Sequence, residues 1–329
     1  MAKASAFFVV MTIGLATSIF GAASSDEFQL SCQKLPFPMN TKARPIDSSC
    51  GNEGDSKGTA KGKQNAVKNN LCSQGDPVTL SFEDFMSLQK QAKDQGIPFG
   101  ADGFPPNRVE HLPEDRRVLL SDNFRTTGGR PRGEGDKVQI VAFMDDPHAA
   151  DLGGGEDVNC HNKKAPENDI HINLVERPAP PKPGRNDPDA EQKKAARKVA
   201  LCGAIVAEVI PHFRPDLFEA QFLVRIAARN TPVRISGQLL FDAAHRPCEG
   251  SEPRDSSIRG SLWEIHPIYS IDVCKHQTLQ QCPAANEAVW LPLDQSIGTF
   301  ERLRTRFMSF FTSEEADDDE ERKDEHLGE

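Results

Sequence analysis

The stretch LCGAIVAEVIPHFRPDLFEAQFLVRIAARNTPVRISGQLLF, Leu201 to Phe241, decides the fold. Its first part, Leu201 to Ile210, is an apolar run that reads as a strand. Asp216 to Asn230 then reads as a helix. Pro215 precedes it, Asp216 and Glu219 imitate a capping box, and Leu217, Phe218, Phe222 and Ile226 are apolar. Val233 to Phe241 returns to strand, with Val233, Ile235, Gly237, Leu239 and Phe241 on one face.

Two strands are predicted before this stretch and one after it. Lys137 to Met144 alternates, with Val138, Ile140, Ala142 and Met144 on one side, and Asp169 to Val175 turns Ile170, Ile172 and Leu174 inward. Leu262 to Cys274 is the last strand. The chain is therefore mainly β with some α. Five strands with a helix between the third and fourth is the order of an OB-fold-like five-stranded Greek-key barrel. An immunoglobulin-like sandwich does not place a helix there.

Around this barrel, residues 135–275, the sequence divides further. Lys3, the apolar run Ala6 to Phe20 and the small residues Gly21 to Ala23 predict a cleaved signal peptide, 1–23, too short in its apolar part to anchor in a membrane. Residues 24–134 read as a loop-rich N-terminal region with one helix, 81–95, capped by Ser81, with an acid at its third position and Gly96 as its stop. A proline-rich insert with a charged, helix-prone end occupies 177–198. Residues 276–312 form a C-terminal extension with an amphipathic helix, Asp294 to Phe311. The net charge of −10 comes largely from 313–329, a run of acids that reads as a disordered, solvated tail. The rest is near neutral, which disfavours nucleic acid as a partner. Export as a soluble periplasmic or extracellular protein, with no transmembrane helix in the mature chain, is the expectation.

All eight cysteines lie beyond the leader, an even number in an exported chain, which argues for disulfides. The expected pairs are Cys50 with Cys72, closing a polar loop, Cys160 with Cys202, Cys248 with Cys274, and Cys32 with Cys282.

Two strings carry chemistry. Asp169-Ile170-His171-Ile172-Asn173 and Trp263-Glu264-Ile265-His266-Pro267 each put an acid and an imidazole on one face of a strand. Asp169, His171, Asn173, Glu264 and His266 are thus a candidate polar site. In the predicted barrel the second and fifth strands are separated by the third, so these groups stand about 9.5 Å apart. A shared metal, zinc or calcium, would be held by His171, His266 and Glu264 only with a bulge or strong twist, or with help from Cys160 and His161. The alternative is that each histidine bonds a neighbouring backbone or acid group.

The strings Val158-Asn159-Cys160-His161, Asn168-Asp169-Ile170-His171, Trp263 to Pro267 and Gly237 to Asp242, with Cys50-Gly51-Asn52 and Lys68 to Cys72, resemble a group of exported bacterial proteins with an OB-fold-like domain. The resemblance carries no activity and no catalytic residue. The chain has no Gly-x-Ser-x-Gly elbow, and Gly153-Gly154-Gly155 lacks the Lys-Ser/Thr of a phosphate loop. Arg234 has no matching acid and arginine cluster of the kind staphylococcal-type nucleases use. The expected function is a non-catalytic binding or structural role for a small molecule, glycan or protein. Its site is placed near the first-to-second and fourth-to-fifth strand loops, and no cofactor is required. The second reading is a metal-dependent, phosphodiesterase-like hydrolase using Asp169, His171, Glu264 and His266.

Overall fold

The computed structural model describes residues 27–100, 112, 116–121, 123–150, 152–184, 187–254 and 258–297. The predicted leader, the acidic tail and all but the start of the C-terminal amphipathic helix lie outside them. That start is one helical turn, Leu293–Ser296.

Five strands close into a barrel: β1 (Lys137–Ala149), β2 (Ile170–Val175), β3 (Ile205–Val209), β4 (Val233–Phe241) and β5 (Trp263–Cys274). β1 pairs antiparallel with β2, β2 antiparallel with β3, β3 parallel with β5, β5 antiparallel with β4, and β4 antiparallel with β1. One long strand serves both ends of the ladder. Lys137–Ala142 pairs with β4, and Phe143–Ala149 pairs with β2. The register shifts between Asp145 and His148. Pro147 lies in that gap and has no N–H for the ladder. Two short strands extend the sheet, Val78–Thr79 beside β1 and Trp290–Pro292 beside the end of β5.

The positions read from sequence as inward-facing are buried. Val138, Ile140, Ala142 and Met144 are buried, as are Ile170, Ile172, Leu174, Val233, Ile235, Leu239 and Phe241. Apart from Ala142, each such side chain removed from water contributes about 1.5–3 kcal/mol.

Among the described residues, four helices of eight or more residues accompany the barrel: α1 (Ala60–Lys68), α2 (Phe82–Asp94), α3 (Ala190–Leu201) and α4 (Ala220–Ala227). α2 follows the sequence reading. Ser81 Oγ accepts from Asp84 N at 3.1 Å, Asp84 returns to Ser81 N at 2.9 Å, and Phe85, Leu88 and Ala92 are buried. Three boundaries differ from expectation. Leu201 ends α3 rather than starting a strand, so β3 begins at Ile205. The helix expected from Asp216 is a 3-10 turn, Asp216–Phe218, followed by α4. The predicted box fails because Glu219 is extended and turned to two guanidiniums, Arg44 Nη1 at 2.7 Å and Arg214 Nη2 at 3.1 Å. α1 replaces part of a predicted loop, docking through Gln64, Asn65 and Asn69 rather than through an apolar stripe.

The disulfides are Cys32–Cys72, Cys50–Cys160, Cys202–Cys248 and Cys274–Cys282, with no free cysteine. All four expected pairings are replaced. α1 lies between Cys50 and Cys72 and carries the chain onward, so Cys72 meets Cys32 and Cys50 meets the β1–β2 connection at Cys160. Cys202 then meets Cys248 in the β4–β5 connection. Cys274, at the end of β5, is left with Cys282 eight residues on. This degree of cross-linking fits an oxidising, exported setting. No helix among the described residues is long and apolar enough to cross a membrane.

Candidate functional site

Asp169 and His171 leave the β2 segment on the face opposite Ile170 and Ile172. Glu264 and His266 leave β5 opposite Ile265. Between them runs β3, where Glu208 stands directly across from His171 in register. The parallel pairing of Ala207 with Ile265 sets Glu208 beside His266. Glu208 Oε2 lies 3.2 Å from His171 Nε2 and 3.1 Å from His266 Nδ1. The intervening strand that was expected to hold the histidines apart therefore supplies the acid that joins them.

His266 Nδ1 is also 3.2 Å from Glu264 Oε1, and Arg259 Nη1 donates to Glu264 Oε2 at 2.9 Å. Asp169 Oδ2 faces His266 Nε2 at 3.9 Å. Asp169, Glu264 and His266 are 0% exposed and Glu208 2%. The edge toward solvent is formed by the His171 and Glu156 side chains, 19% and 28% exposed, with Glu156 Oε1 3.8 Å from His171 Nε2.

The cover over this centre comes from two segments. The last turn of α1 docks on the barrel through Gln238, whose Nε2 donates to Val67 O at 2.7 Å and to His266 O at 3.0 Å. Lys68, in the same turn, pairs with buried Asp242 at 3.1 Å. The β1–β2 connection carries Glu156 and is pinned by Cys50–Cys160. Asp157, beside Glu156, accepts from Ser56 Oγ at 2.7 Å. The loop that sequence reasoning placed at a binding face is thus fastened to the N-terminal region. The β4–β5 connection is likewise tied to Cys202 and supplies Arg259 to the centre.

Burial and charge compete here. Burial works against a charge on His266, but the Glu208 carboxylate outweighs it and pushes the ring up to about 10. His171 is raised to about 9 by the same contest between burial and Glu208. Burial would lift Glu208, yet the two imidazoles hold it well below the usual carboxylate range. Asp169 goes the other way: burial raises it, only partly opposed by His266. Burial, with Asp169 nearby, lifts Glu156 to about 7. The centre thus has one firmly ionised acid, Glu208, and one, Asp169, that is ill at ease with its charge.

Of the residues singled out in the sequence, Asp169, His171, Glu264 and His266 converge. Asn173 does not join them. It sits further along β2, in register with Asp145 and Val206. Cys160 is spent in its disulfide, and so is removed from the candidate ligands. His161 turns away: its Nδ1 is 3.1 Å from Gly155 O and its Nε2 3.7 Å from Asp55 Oδ2. Sequence reasoning missed Glu208, Arg259 and Glu156. The signal for Glu208 was a lone acid in the middle of an apolar strand, where a charge needs a partner. Asp169, Glu208 and His266 each offer a ligand atom within 4.8 Å of the others, a spacing that suits one metal ion.

A second feature is open. A cleft of about 680 Å³ runs beside α1, lined by Gln29, Asn52, Asn70, Ser73, Gln74 and Gln238 among others. None of its described lining residues comes from the β1–β2 or β4–β5 connections. Its carboxamides are held in place: Asn52 exchanges two hydrogen bonds with the Gln29 backbone, and Ser73 Oγ donates to Gln238 Oε1 at 3.1 Å. No family model, curated protein or solved structure matches the chain.

Proposed function

We propose that the protein is an exported, non-catalytic binding protein on an OB-type barrel, taking a hydroxyl-rich small molecule of the sugar class in the cleft beside α1. The OB assignment is supported by the strand order β1-β2-β3-β5-β4, by the parallel β3–β5 pair, and by α4 falling between β3 and β4.

The observation that carries the functional reading is a separation. The acid–histidine centre is sealed, while the open concavity is lined by carboxamides and hydroxyls together with the charged Glu53, Lys63, Arg116, Arg117 and Glu134. Its volume falls within the roughly 300–1,000 Å³ of small-molecule sites. Its lining, rich in hydrogen-bonding groups and with charges of both signs that leave little net charge, suits a hydroxyl-rich ligand. A hydrolase using Asp169, His171, Glu264 and His266 has less support, because only His171 of these reaches solvent.

Calorimetry of the full chain against a panel of neutral mono- and oligosaccharides tests the reading. Saturable binding to at least one is expected. The double variant Ser31→Ala, Gln74→Ala, at two positions of the cleft lining, should weaken it by about 3- to 30-fold, the loss of one or two hydrogen bonds. Absence of saturable binding across the panel, or binding that ignores the double variant, would refute it.

A further inference from the structure

We infer that the sealed centre is a buried binding site for one divalent transition-metal ion of the zinc type, ligated by Asp169, Glu208 and His266. The inference is independent of the cleft and rests on four observations.

The first is an unanswered carboxylate. Asp169 is wholly buried, and neither of its oxygens has a hydrogen-bond partner among the described residues. The same holds for the Nε2 of His266, which faces it. Folded proteins satisfy the large majority of buried polar groups, and an ionised carboxylate without a partner is among the costliest exceptions. A cation between Asp169 and His266 removes both orphans at once.

The second is spacing. Zinc bonds to imidazole nitrogen and carboxylate oxygen run at about 2.0–2.2 Å, so two ligand atoms at a tetrahedral angle stand about 3.4 Å apart. Asp169 Oδ2 and His266 Nε2 are 3.9 Å apart, and one atom from each of the three residues falls within 4.8 Å of the others. Asp169 and His266 need close by only about 0.5 Å, whereas Glu208, whose Oε2 sits at His266 Nδ1, must turn by up to about 1.4 Å to join them on one ion.

The third is charge. Glu264 is matched by Arg259, and Asp242 by Lys68. With those pairs set aside, the three acids Asp169, Glu208 and Glu156 outnumber the two imidazoles His171 and His266, so the centre has no surplus of positive charge to repel a cation.

The fourth is the outer shell. Glu264 Oε1 stands at His266 Nδ1 at 3.2 Å, keeping a carboxylate there when Glu208, now at 3.1 Å, turns to the ion, and Arg259 holds the other oxygen of Glu264. A carboxylate on one ring nitrogen orients the other toward a metal, the arrangement that accompanies most metal-bound histidines. An imidazole among the ligands favours zinc over calcium or magnesium, which take oxygen ligands.

The test uses the full chain with its disulfides intact, stripped with chelator and dialysed against zinc. About one equivalent should be retained and the melting temperature should rise by several degrees, while calcium at the same concentration leaves it unchanged. Cobalt in place of zinc should give the intense visible bands of a low-coordinate site with nitrogen ligation. In Asp169→Asn the apo chain should melt no lower than the apo wild type, and zinc affinity should fall at least about 100-fold, beyond the 10–100-fold typical of outer-shell changes. Failure to retain zinc, a zinc-insensitive melt, or Asp169→Asn binding as tightly as wild type would each overturn the inference. If Asp169→Asn does not fold, the wild-type cobalt spectrum decides. Weak octahedral bands, the mark of exposed carboxylates, would count against the site.

Discussion

Replacing Arg259 by Met isolates the energetics of the sealed centre. Arg259 and Glu264 have no side-chain exposure, and their contact is a 2.9 Å hydrogen bond between charged groups. Met keeps most of the volume and removes the cation. Glu264 is then a buried carboxylate whose remaining partner is His266 Nδ1, at 3.2 Å. Breaking a buried pair from one side costs about 3–5 kcal/mol, because the desolvated charge stays behind uncompensated. Total stabilities run at roughly 5–15 kcal/mol. With about 2–4 °C of melting temperature per kcal/mol in a domain of this size, the expected drop is about 6–20 °C. Adding Glu264→Gln to Arg259→Met removes the stranded charge and should return at least about 2 kcal/mol, a coupling that a double-mutant cycle reads directly. Urea unfolding followed by circular dichroism, with disulfides intact, gives all four corners of the cycle. A loss below about 1 kcal/mol for Arg259→Met, or two changes that simply add, would show that the pair is not the desolvated couple described.

Other outcomes follow from single contacts. A Cβ on Gly237 would sit 2.3 Å from the backbone oxygen of Pro267 and 2.5 Å from Ile265 Cγ2, so Gly237→Ala should cost about 1–3 kcal/mol in a thermal melt. His212 is buried, with its ring stacked on Phe28 and its Nδ1 donating to Asp47, and burial holds its pKa below the ordinary value of about 6.5. Its contribution to stability is therefore full above about pH 6.5 and is lost as the pH falls below that toward the folded value. His212→Asn should flatten that part of a stability–pH curve. Cys50–Cys160 spans 110 residues and Cys274–Cys282 spans 8, so removing the first by paired Ser substitution should cost about 2 kcal/mol more than removing the second. Non-reducing peptide maps should recover the four linkages seen here, and any of the replaced pairings would contradict the chain path.

The barrel was legible because its strands bury one face and alternate. β1 and β2 show that pattern over much of their length, while β4 alternates in sequence but is buried at every position except Arg234. β3 hid Glu208 for the opposite reason. Both of its faces are covered, so Ile205–Val209 reads as a uniform apolar run in which one acid looks incidental. α1 escaped notice because its docking is polar: Asn65 Nδ2 donates to Glu53 O, and Thr59 caps the helix from a Gly- and Lys-rich stretch. Half of the centre was visible as two acid–histidine strings. The other half, Glu208, Arg259 and Glu156, depends on which strands and loops become neighbours, as do the disulfides. Strand pairing is set by the closed ladder, not by any local pattern.

The double duty of β1 bears on the order in which the chain assembles. Its second half can zip onto β2 as soon as that strand exists, since the two are joined by a single connection. Its first half has no partner on that side until Val233–Phe241 arrives. A nascent barrel is therefore an open curl with a waiting edge, and closure is a late event that couples distant parts of the chain. Contacts of such long sequence separation slow folding. The β1–β4 seam is where incomplete chains would expose pairing groups to one another, and where a factor that shields strand edges would act.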